Sequence, residues 1–544
     1  MKKEKQILLG NEAIVRGALE AGVDYVSAYP GTPSSEIGNI FGEIAKGLGI
    51  YFEFSTNEKV AMESAIGASF SGLKSLVSMK HFGLNVAADS FLPFCYTGTK
   101  APSVLMVADD PSCWSSGQSE QNSRAYAYLA HCPMIEPSDA QEAKDYTKFA
   151  FELSEKFNVP VVVRTTTRIA HQRMPVELKP LGVKKAKTGK FEKNVKKFVT
   201  MPPRVLEMKD ELLEKIEKIR DLAEKSSLNK KEGKKGPVGI ITSSVSYLYV
   251  KEALDELGLD MPILKLGFFY PLPNKKINDF IKSLKKVLIV EELEGYLEKE
   301  VKALAKEANP KLKVFGKDLV PVSRELNTEK VAKAISSVTG KKYKKEKTSE
   351  LDLPKRYPRL CPGCPYWTTF AVVKKTAPKG TIFGGDIGCY MLAGFPPHEM
   401  QDYLFSMGSS IGIGHGIRKA STNRQKLIAF IGDSTFFHAG IPALLNTVYN
   451  QSDPLIIIMD NRITAMTGHQ PNPGMEKTGM GDPSPKIKIE DIVKACGVKH
   501  VKTIDPVDVK EMEKTVKDFV NKKEVSVIVA RRMCALLAKK LKKK

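Results

Sequence analysis

At 544 residues, with 42% hydrophobic and 27% charged residues, the chain has room for about three domains with full-sized cores. Its composition is that of a folded soluble protein and excludes collagen-like or disordered classes. Apolar stretches such as residues 455–459 fall far short of the ~20 residues that a bilayer span needs. The run Ile7-Leu8-Leu9 is too short for a secretory core and no cleavage site follows, so a cytoplasmic chain without membrane association is expected. The formal net charge of +22 fits either an anionic partner or a lysine-rich surface of ion-pair networks suited to heat. The basic residues are not interleaved with aromatics, so nucleic acid is the weaker reading.

In chain order, Asn11 is placed to cap a helix through Ala21, and residues 24–28 read as a strand. The turn-rich Tyr29-Pro-Gly-Thr-Pro-Ser-Ser35 opens a helix at Glu36. Residues 103–107 and 159–163 look like buried parallel strands, so residues 1–183 form a domain of alternating strands and helices. Residues 184–236 read as a charged connector. It has dense lysine at 184–197, Pro202-Pro203, a helical stripe of Leu206, Leu213, Ile216 and Leu222, and a charge run at 230–235. A second α/β unit follows over 237–340, with strands at 238–242, 263–266 and 287–290 and a helix at 247–257 stopped by Gly258. A linker at 341–357 leads to the last unit, 358–544.

That unit holds the most informative residues. Residues 426–431 form a strand ending in Gly432-Asp433-Ser434, a helix fits 440–450, and a strand at 455–459 ends in Asp460-Asn461. Strand, helix and strand make one right-handed unit with parallel strands. Asp433 and Asn461 therefore sit at carboxyl ends of strands, where open sheets hold ligands. Gly432 lets backbone come close. A carboxylate and an amide oxygen suit magnesium shared with phosphate. The alternative is an acidic turn followed by an unrelated polar strand end.

Gly-Asp-Ser, twenty-five residues, then Asp-Asn resembles the magnesium–thiamine-diphosphate signature. The departures are Ser434, where the family more often has Gly, and Asp460, where it more often has Asn. Further segments are similar to the alpha subunit of the indolepyruvate ferredoxin oxidoreductase family. They are Tyr29-Pro-Gly-Thr-Pro33, Met79-Lys-His-Phe-Gly-Leu-Asn-Val86, Lys265-Leu-Gly-Phe-Phe-Tyr-Pro-Leu-Pro273, Thr435-Phe-Phe-His-Ala-Gly440 and Met459-Asp-Asn-Arg-Ile-Thr-Ala-Met-Thr-Gly-His-Gln470. The resemblance implies an α/β fold of several doubly wound, thiamine-diphosphate-binding-type domains with parallel sheets. Residues 1–183 would bind the pyrimidine, 237–340 would be transketolase C-terminal-like, and 358–544 would bind the diphosphate.

The same resemblance implies magnesium ligands at Asp433, Asn461 and the backbone oxygen of Ile463, with Gly432 and Ser434 beside the cofactor. It makes Glu58, at the start of a helix opened by Asn57, the acid that hydrogen-bonds the pyrimidine ring. Glu63 lies about 140° round that helix and cannot share the role. Thr32 and Pro33 match the loop facing cofactor and substrate. His81, His438, His469 and Asn85 are candidate polar groups near the reacting carbon, each with a plain structural alternative.

Cys361 and Cys364 form a Cys-x-x-Cys pair, followed by Cys389 and, after a strand at 525–530, Cys534. Thiolates from four scattered points can hold a 4Fe–4S cube. Structural zinc takes two paired units, and buried thiols are common; all three readings stand. The resemblance implies a cluster whose fourth ligand is Cys534 or Cys496. The family's usual chain continues into a ferredoxin-like segment, whereas this sequence stops ten residues past Cys534. Electrons are then expected to leave through a separate subunit, directly from the proximal cluster, or not at all.

The implied activity is oxidative decarboxylation of arylpyruvates, chiefly indolepyruvate, with coenzyme A as acyl acceptor and ferredoxin as electron acceptor. A smaller beta subunit in a hetero-oligomer is implied too. A non-oxidative thiamine-dependent decarboxylase and a metal- or nucleic-acid-binding scaffold are the alternatives.

Overall fold

The computed structural model describes residues 4–181, 187–344, 353–354, 356–421 and 425–542. The start of the expected connector at 184–186, most of the expected linker at 345–352, and the last two lysines lie outside the described residues. No helix among the described residues is long and apolar enough to cross a membrane. The chain divides into two compact units, Met1–Ser349 and Glu350–Lys544.

The first unit carries two large sheets. The seven-stranded sheet runs in the order Phe268–Tyr270, Met134–Ile135, Val161–Thr166, Ser103–Asp109, Ser75–Lys80, Tyr25–Ala28, Tyr51–Phe54. Its strands are parallel except Phe268–Tyr270, which pairs antiparallel with Met134–Ile135. Ser103–Asp109 is buried at every position, as a central strand covered on both faces must be. The five-stranded sheet has the order Lys313–Phe315, Lys286–Val290, Val238–Ser243, Ile263–Leu266, Lys230–Glu232.

Three expectations are corrected here. Residues 230–232 are an antiparallel edge strand paired with Ile263–Lys265, not part of a connector; charged side chains suit a sheet edge, where they oppose further pairing. The helix Arg204–Lys225 buries Met208, Leu212, Ile216, Ile219 and Ala223, and leaves Leu206 and Leu213 exposed. Asn11 is not a cap: the helix Gly10–Glu20 starts after Leu9. Instead Asn11 Nδ2 donates to Pro33 O and to Glu36 Oε2, both at 2.7 Å.

Where strand ends of the two sheets meet, a buried charge network joins them. Arg124 donates to both oxygens of Glu136, to Glu291 Oε2 at 2.7 Å and to Ser243 Oγ at 2.6 Å. Arg164 binds Asp109 at 2.6 Å and Glu136 at 2.9 Å.

The second unit is built on five parallel strands in the order Ile382–Gly384, Leu427–Gly432, Leu455–Asp460, Ser526–Arg531, His500–Ile504. One apolar layer gathers Tyr366, Phe370, Tyr390 and Phe430; the other gathers Ile431, Phe436, Ile458 and Val493. Asp433–Thr435 begins a helical turn directly at the strand end. A widened turn over Phe436–Gly440 follows and continues into the helix Ile441–Tyr449.

Candidate active site

In the first unit, the strand Tyr25–Ala28 delivers the chain into the loop that holds Thr32 and Pro33. The loop is pinned from inside by Ser34 Oγ, which donates to Gly31 O at 2.8 Å, and from outside by Asn11 at Pro33 O. Thr32 Oγ1 lies 3.3 Å from Ser35 Oγ. Glu58 is the first residue of the helix Glu58–Phe70, capped by Asn57 Oδ1, which accepts the Val60 N–H at 2.9 Å. The Glu58 side chain is buried against Gly83; a Cβ there would stand 2.5 Å from Glu58 Cγ. Glu63, by contrast, is held at the surface by Lys59 and Ser90.

His81 starts the helix His81–Thr97. Its Nδ1 lies 3.3 Å from Ala108 O, its Nε2 has no hydrogen-bond partner among the described residues, and burial lowers its pKa. Asn85 lies on the helix surface, bonded to Gln121 and Tyr126.

In the second unit, the strands Leu427–Gly432 and Leu455–Asp460 are in parallel register, Gly432 beside Met459. This sets Asp433 and Asn461 on adjacent strand tips. Gly432 has no room for a side chain, because a Cβ would stand 2.7 Å from the Tyr390 ring. The two aspartates at these tips differ. Asp460 is neutralised by Arg531, whose Nε donates to Oδ2 at 2.7 Å, with Arg462 nearby. Asp433 has no cationic partner among the described residues; burial and then Asp460 push its carboxyl up to about 7. A buried carboxylate this uncompensated fits a bound cation.

Asn472, which sequence reasoning missed, folds back over the strand tips. Its Nδ2 lies 3.0 Å from Asp433 Oδ2 and 2.9 Å from Ser434 Oγ. The turn signal Asn472-Pro-Gly could have flagged it. Asn461 Oδ1 accepts the Ile463 N–H at 3.1 Å. His438 lies buried in the turn just after Asp433. Asp386 was also missed, although it follows the strand Ile382–Gly384 at the same sheet edge. It accepts N–H groups of Ile387, Gly408 and Ser410 at 2.7–2.9 Å, and burial pushes its carboxyl up to about 6.

The four cysteines singled out by spacing come into one neighbourhood. Burial, then Cys534 and Cys361, together push the Cys364 thiol up to about 11. Burial, then Cys364, Cys534, Cys361 and Asp433, together push Cys389 up to about 12. Cys534 Sγ lies 3.7 Å from His469 Nε2, so that histidine sits with the thiols. Cys496 packs in the opposite apolar layer with Ile431 and Ile458, and burial alone raises its pKa. No three metal-binding side chains among the described residues stand close enough to share an ion. Cys361 is exposed and Cys364, Cys389 and Cys534 are half-buried; as thiolates, four such groups could hold an iron–sulfur core.

Three family models match the chain. They are the thiamine diphosphate-binding region of pyruvate flavodoxin/ferredoxin oxidoreductase over residues 16–224, the indolepyruvate oxidoreductase domain over 229–354, and the C-terminal binding domain of thiamine pyrophosphate enzymes over 386–530. The indolepyruvate oxidoreductase subunit IorA of Methanothermobacter marburgensis is 46% identical over 98% of this chain and 87% of its own length. The Pyrococcus horikoshii IorA is 46% identical over 98% and 86%, and that of Archaeoglobus fulgidus 42% over 98% and 87%. The 2-oxoglutarate:ferredoxin oxidoreductase of Magnetococcus marinus, solved with 2-oxoglutarate, coenzyme A and succinyl-CoA bound, shares the fold. Its TM-score is 0.50 at 18% identity, covering 62% of this chain and 65% of that chain. With identity of this level sustained across nearly the whole sequence, the chain belongs to the indolepyruvate oxidoreductase subunit IorA family and is a thiamine-diphosphate-dependent 2-oxoacid oxidoreductase.

Proposed function

We propose that this enzyme oxidatively decarboxylates arylpyruvates of the indolepyruvate type, with coenzyme A as acyl acceptor and ferredoxin as electron acceptor, as the larger subunit of a hetero-oligomer with a smaller beta subunit. The observation that carries the reading is the pair of aspartates at neighbouring strand tips, Asp460 paired with Arg531 and Asp433 left for a cation. Residues 1–183 form the pyrimidine-binding domain, 237–340 the transketolase C-terminal-like domain, and 358–544 the diphosphate-binding domain.

Asp433, Asn461 and the backbone oxygen of Ile463 would hold magnesium against the diphosphate, with Gly432 and Ser434 alongside. Thiamine diphosphate, when bound, supplies the nucleophilic carbon and the electron sink that no side chain offers. Glu58 would hydrogen-bond the pyrimidine ring nitrogen, and its burial would keep water from competing for that bond. Thr32 and Pro33 shape the loop that faces the reacting carbon. Cys361, Cys364, Cys389 and Cys534 would hold a 4Fe–4S cluster, which would supply one-electron steps.

The test is co-purification with the beta subunit without air, followed by thiamine and iron assays and by turnover. Ferredoxin reduction that requires both an arylpyruvate and coenzyme A is the expected result. Aldehyde release from a colourless, thiamine-containing protein would overturn it in favour of non-oxidative decarboxylation.

A further inference from the structure

Lys80 ends the strand Ser75–Lys80, at the carboxyl edge of the seven-stranded sheet, where open parallel sheets receive ligands. Its stem runs directly under the Thr32 loop. A Cβ on Gly31 would stand 2.9 Å from Lys80 Cγ and 3.0 Å from Cδ. Three residues on, Gly83 makes the corresponding gap for Glu58. The side chains of Lys80 and Glu58 thus lie by the first turn of one helix, His81–Thr97.

Among the described residues this ammonium has two hydrogen-bond partners. Nζ donates to Ser115 O at 3.1 Å and to Ser116 Oγ at 2.8 Å, both neutral acceptors. An ammonium has three protons to give. Two fully buried lysines of this unit are paired with carboxylates, Lys144 with Glu20 at 3.1 Å and Lys265 with Glu142, whereas half-buried Lys317, like Lys80, is held by neutral oxygens. Asp110, the carboxylate that accepts from both Lys80 partners, is already engaged. Its Oδ2 accepts from Ser115 N and Ser116 Oγ, and its Oδ1 accepts from Thr167 Oγ1. Burial lowers the Lys80 pKa to about 8, against the opposing pull of Asp110, Cys113 and Glu58. A half-buried cation held by neutral groups is set up to receive a small anion.

We infer that Lys80 binds the carboxylate of the 2-oxoacid, with Ser116 and the Ser115 carbonyl fixing the direction of its ammonium. The inference rests on the 2-oxoacid reading given above. In this arrangement Glu58 serves the cofactor ring and Lys80 the substrate, so the two charges do not compete. A cation on the substrate carboxylate favours binding rather than loss of carbon dioxide, so its effect belongs in KM and not in kcat.

The experiment uses the holoenzyme with its beta subunit as wild type, Lys80→Gln, Lys80→Met and Lys80→Arg. Steady-state kinetics with phenylpyruvate are combined with calorimetric binding of two inert probes, 3-phenylpropanoate and the neutral 4-phenyl-2-butanone. Thiamine diphosphate affinity is measured on every variant. Lys80→Gln and Lys80→Met are expected to raise KM and weaken 3-phenylpropanoate by about 10- to 100-fold. Affinity for the neutral ketone and for thiamine diphosphate stays within twofold, and Lys80→Arg recovers part of the loss. Unchanged KM and 3-phenylpropanoate affinity would overturn the assignment. So would equal weakening of the charged and neutral probes together with thiamine diphosphate, since a loop-pinning lysine would act on all three. A wild-type holoenzyme that binds thiamine diphosphate yet turns over no 2-oxoacid would instead overturn the functional reading itself, and this assignment with it.

Discussion

Arg124 grips Glu136 through two bonds, Nε to Oε1 at 2.7 Å and Nη2 to Oε2 at 2.6 Å, with both side chains out of solvent. Glu136 is also held by Arg164, and Arg124 reaches across to Glu291 of the neighbouring sheet. Removing one partner of such a set strands the others as buried charges. Arg124→Ala is therefore expected to cost about 3–5 kcal/mol, read as a lowered urea midpoint. Replacing Arg124 and Glu291 together by Met and Leu should cost less than the single change, because fewer charges are then left unpaired.

Asp433 carries its charge at a cost to the cofactor-free chain. Asp433→Asn should raise Tm in the absence of cofactor and weaken magnesium-dependent thiamine diphosphate binding at least about tenfold. Asn472→Ala, which removes the amide resting on Asp433 and Ser434, should give a smaller loss of the same kind. Fluorescence titration with thiamine diphosphate at fixed magnesium measures both; equal affinities in all three proteins would count against these strand tips as the diphosphate site.

Glu58→Gln preserves shape and a hydrogen-bonding group but removes the exchangeable carboxyl proton. Thiamine diphosphate binding should persist while kcat falls by roughly 10²–10⁴. Turnover at the wild-type rate would remove Glu58 from the chemistry.

Cys496 packs in the apolar layer opposite the one that holds Cys364 and Cys389, the thiols that Cys534 influences. Cys534→Ser should deplete the iron recovered after purification without air, and Cys496→Ser should leave it at the wild-type level. The reverse pattern would mean that the thiol in the opposite apolar layer is the ligand.

Glu292 is buried; burial, with a smaller push from Glu325 and against the Leu326 N–H, Arg164 and Arg124, brings its carboxyl up to about 7. The folded chain therefore keeps a proton that the unfolded chain has lost. That contribution to stability is present below about pH 4.5 and is lost as pH rises toward 7. Glu292→Gln keeps an acceptor for the Leu326 N–H, which Glu292 Oε1 meets at 2.9 Å. It should therefore gain about 1–3 kcal/mol over wild type at pH 8 and little at pH 4.5. Urea unfolding at the two pH values measures the difference.

The parallel strands and their tips were legible because the signals are local: unbroken apolar runs ended by Gly432-Asp433 and Asp460-Asn461. The fold class follows from such runs alternating with helical patterns. What was illegible depends on what lies across in space. Leu206 and Leu213 are as apolar as Leu212, and only the surface beneath selects the buried stripe of that helix. Lys230–Glu232 has no apolar residue, so nothing in its own chemistry announces a strand; pairing with Ile263–Lys265 makes it one. Asn11 has the chemistry of a cap, yet Pro33 and Glu36 claim its amide. Lys80 and Asn472 look ordinary in one dimension and matter through the Gly31 loop and Asp433.

The strand Phe268–Tyr270 lies beyond the helix Arg204–Lys225 in sequence but completes the edge of the sheet begun by the first residues. A chain released after residue 236 would leave the backbone of Met134–Ile135 without its antiparallel neighbour, and Glu136 N without the Gly267 carbonyl that it meets at 2.8 Å. The two α/β layers of the first unit are thus obliged to mature together. Cutting between them should yield a sticky half rather than a miniature enzyme.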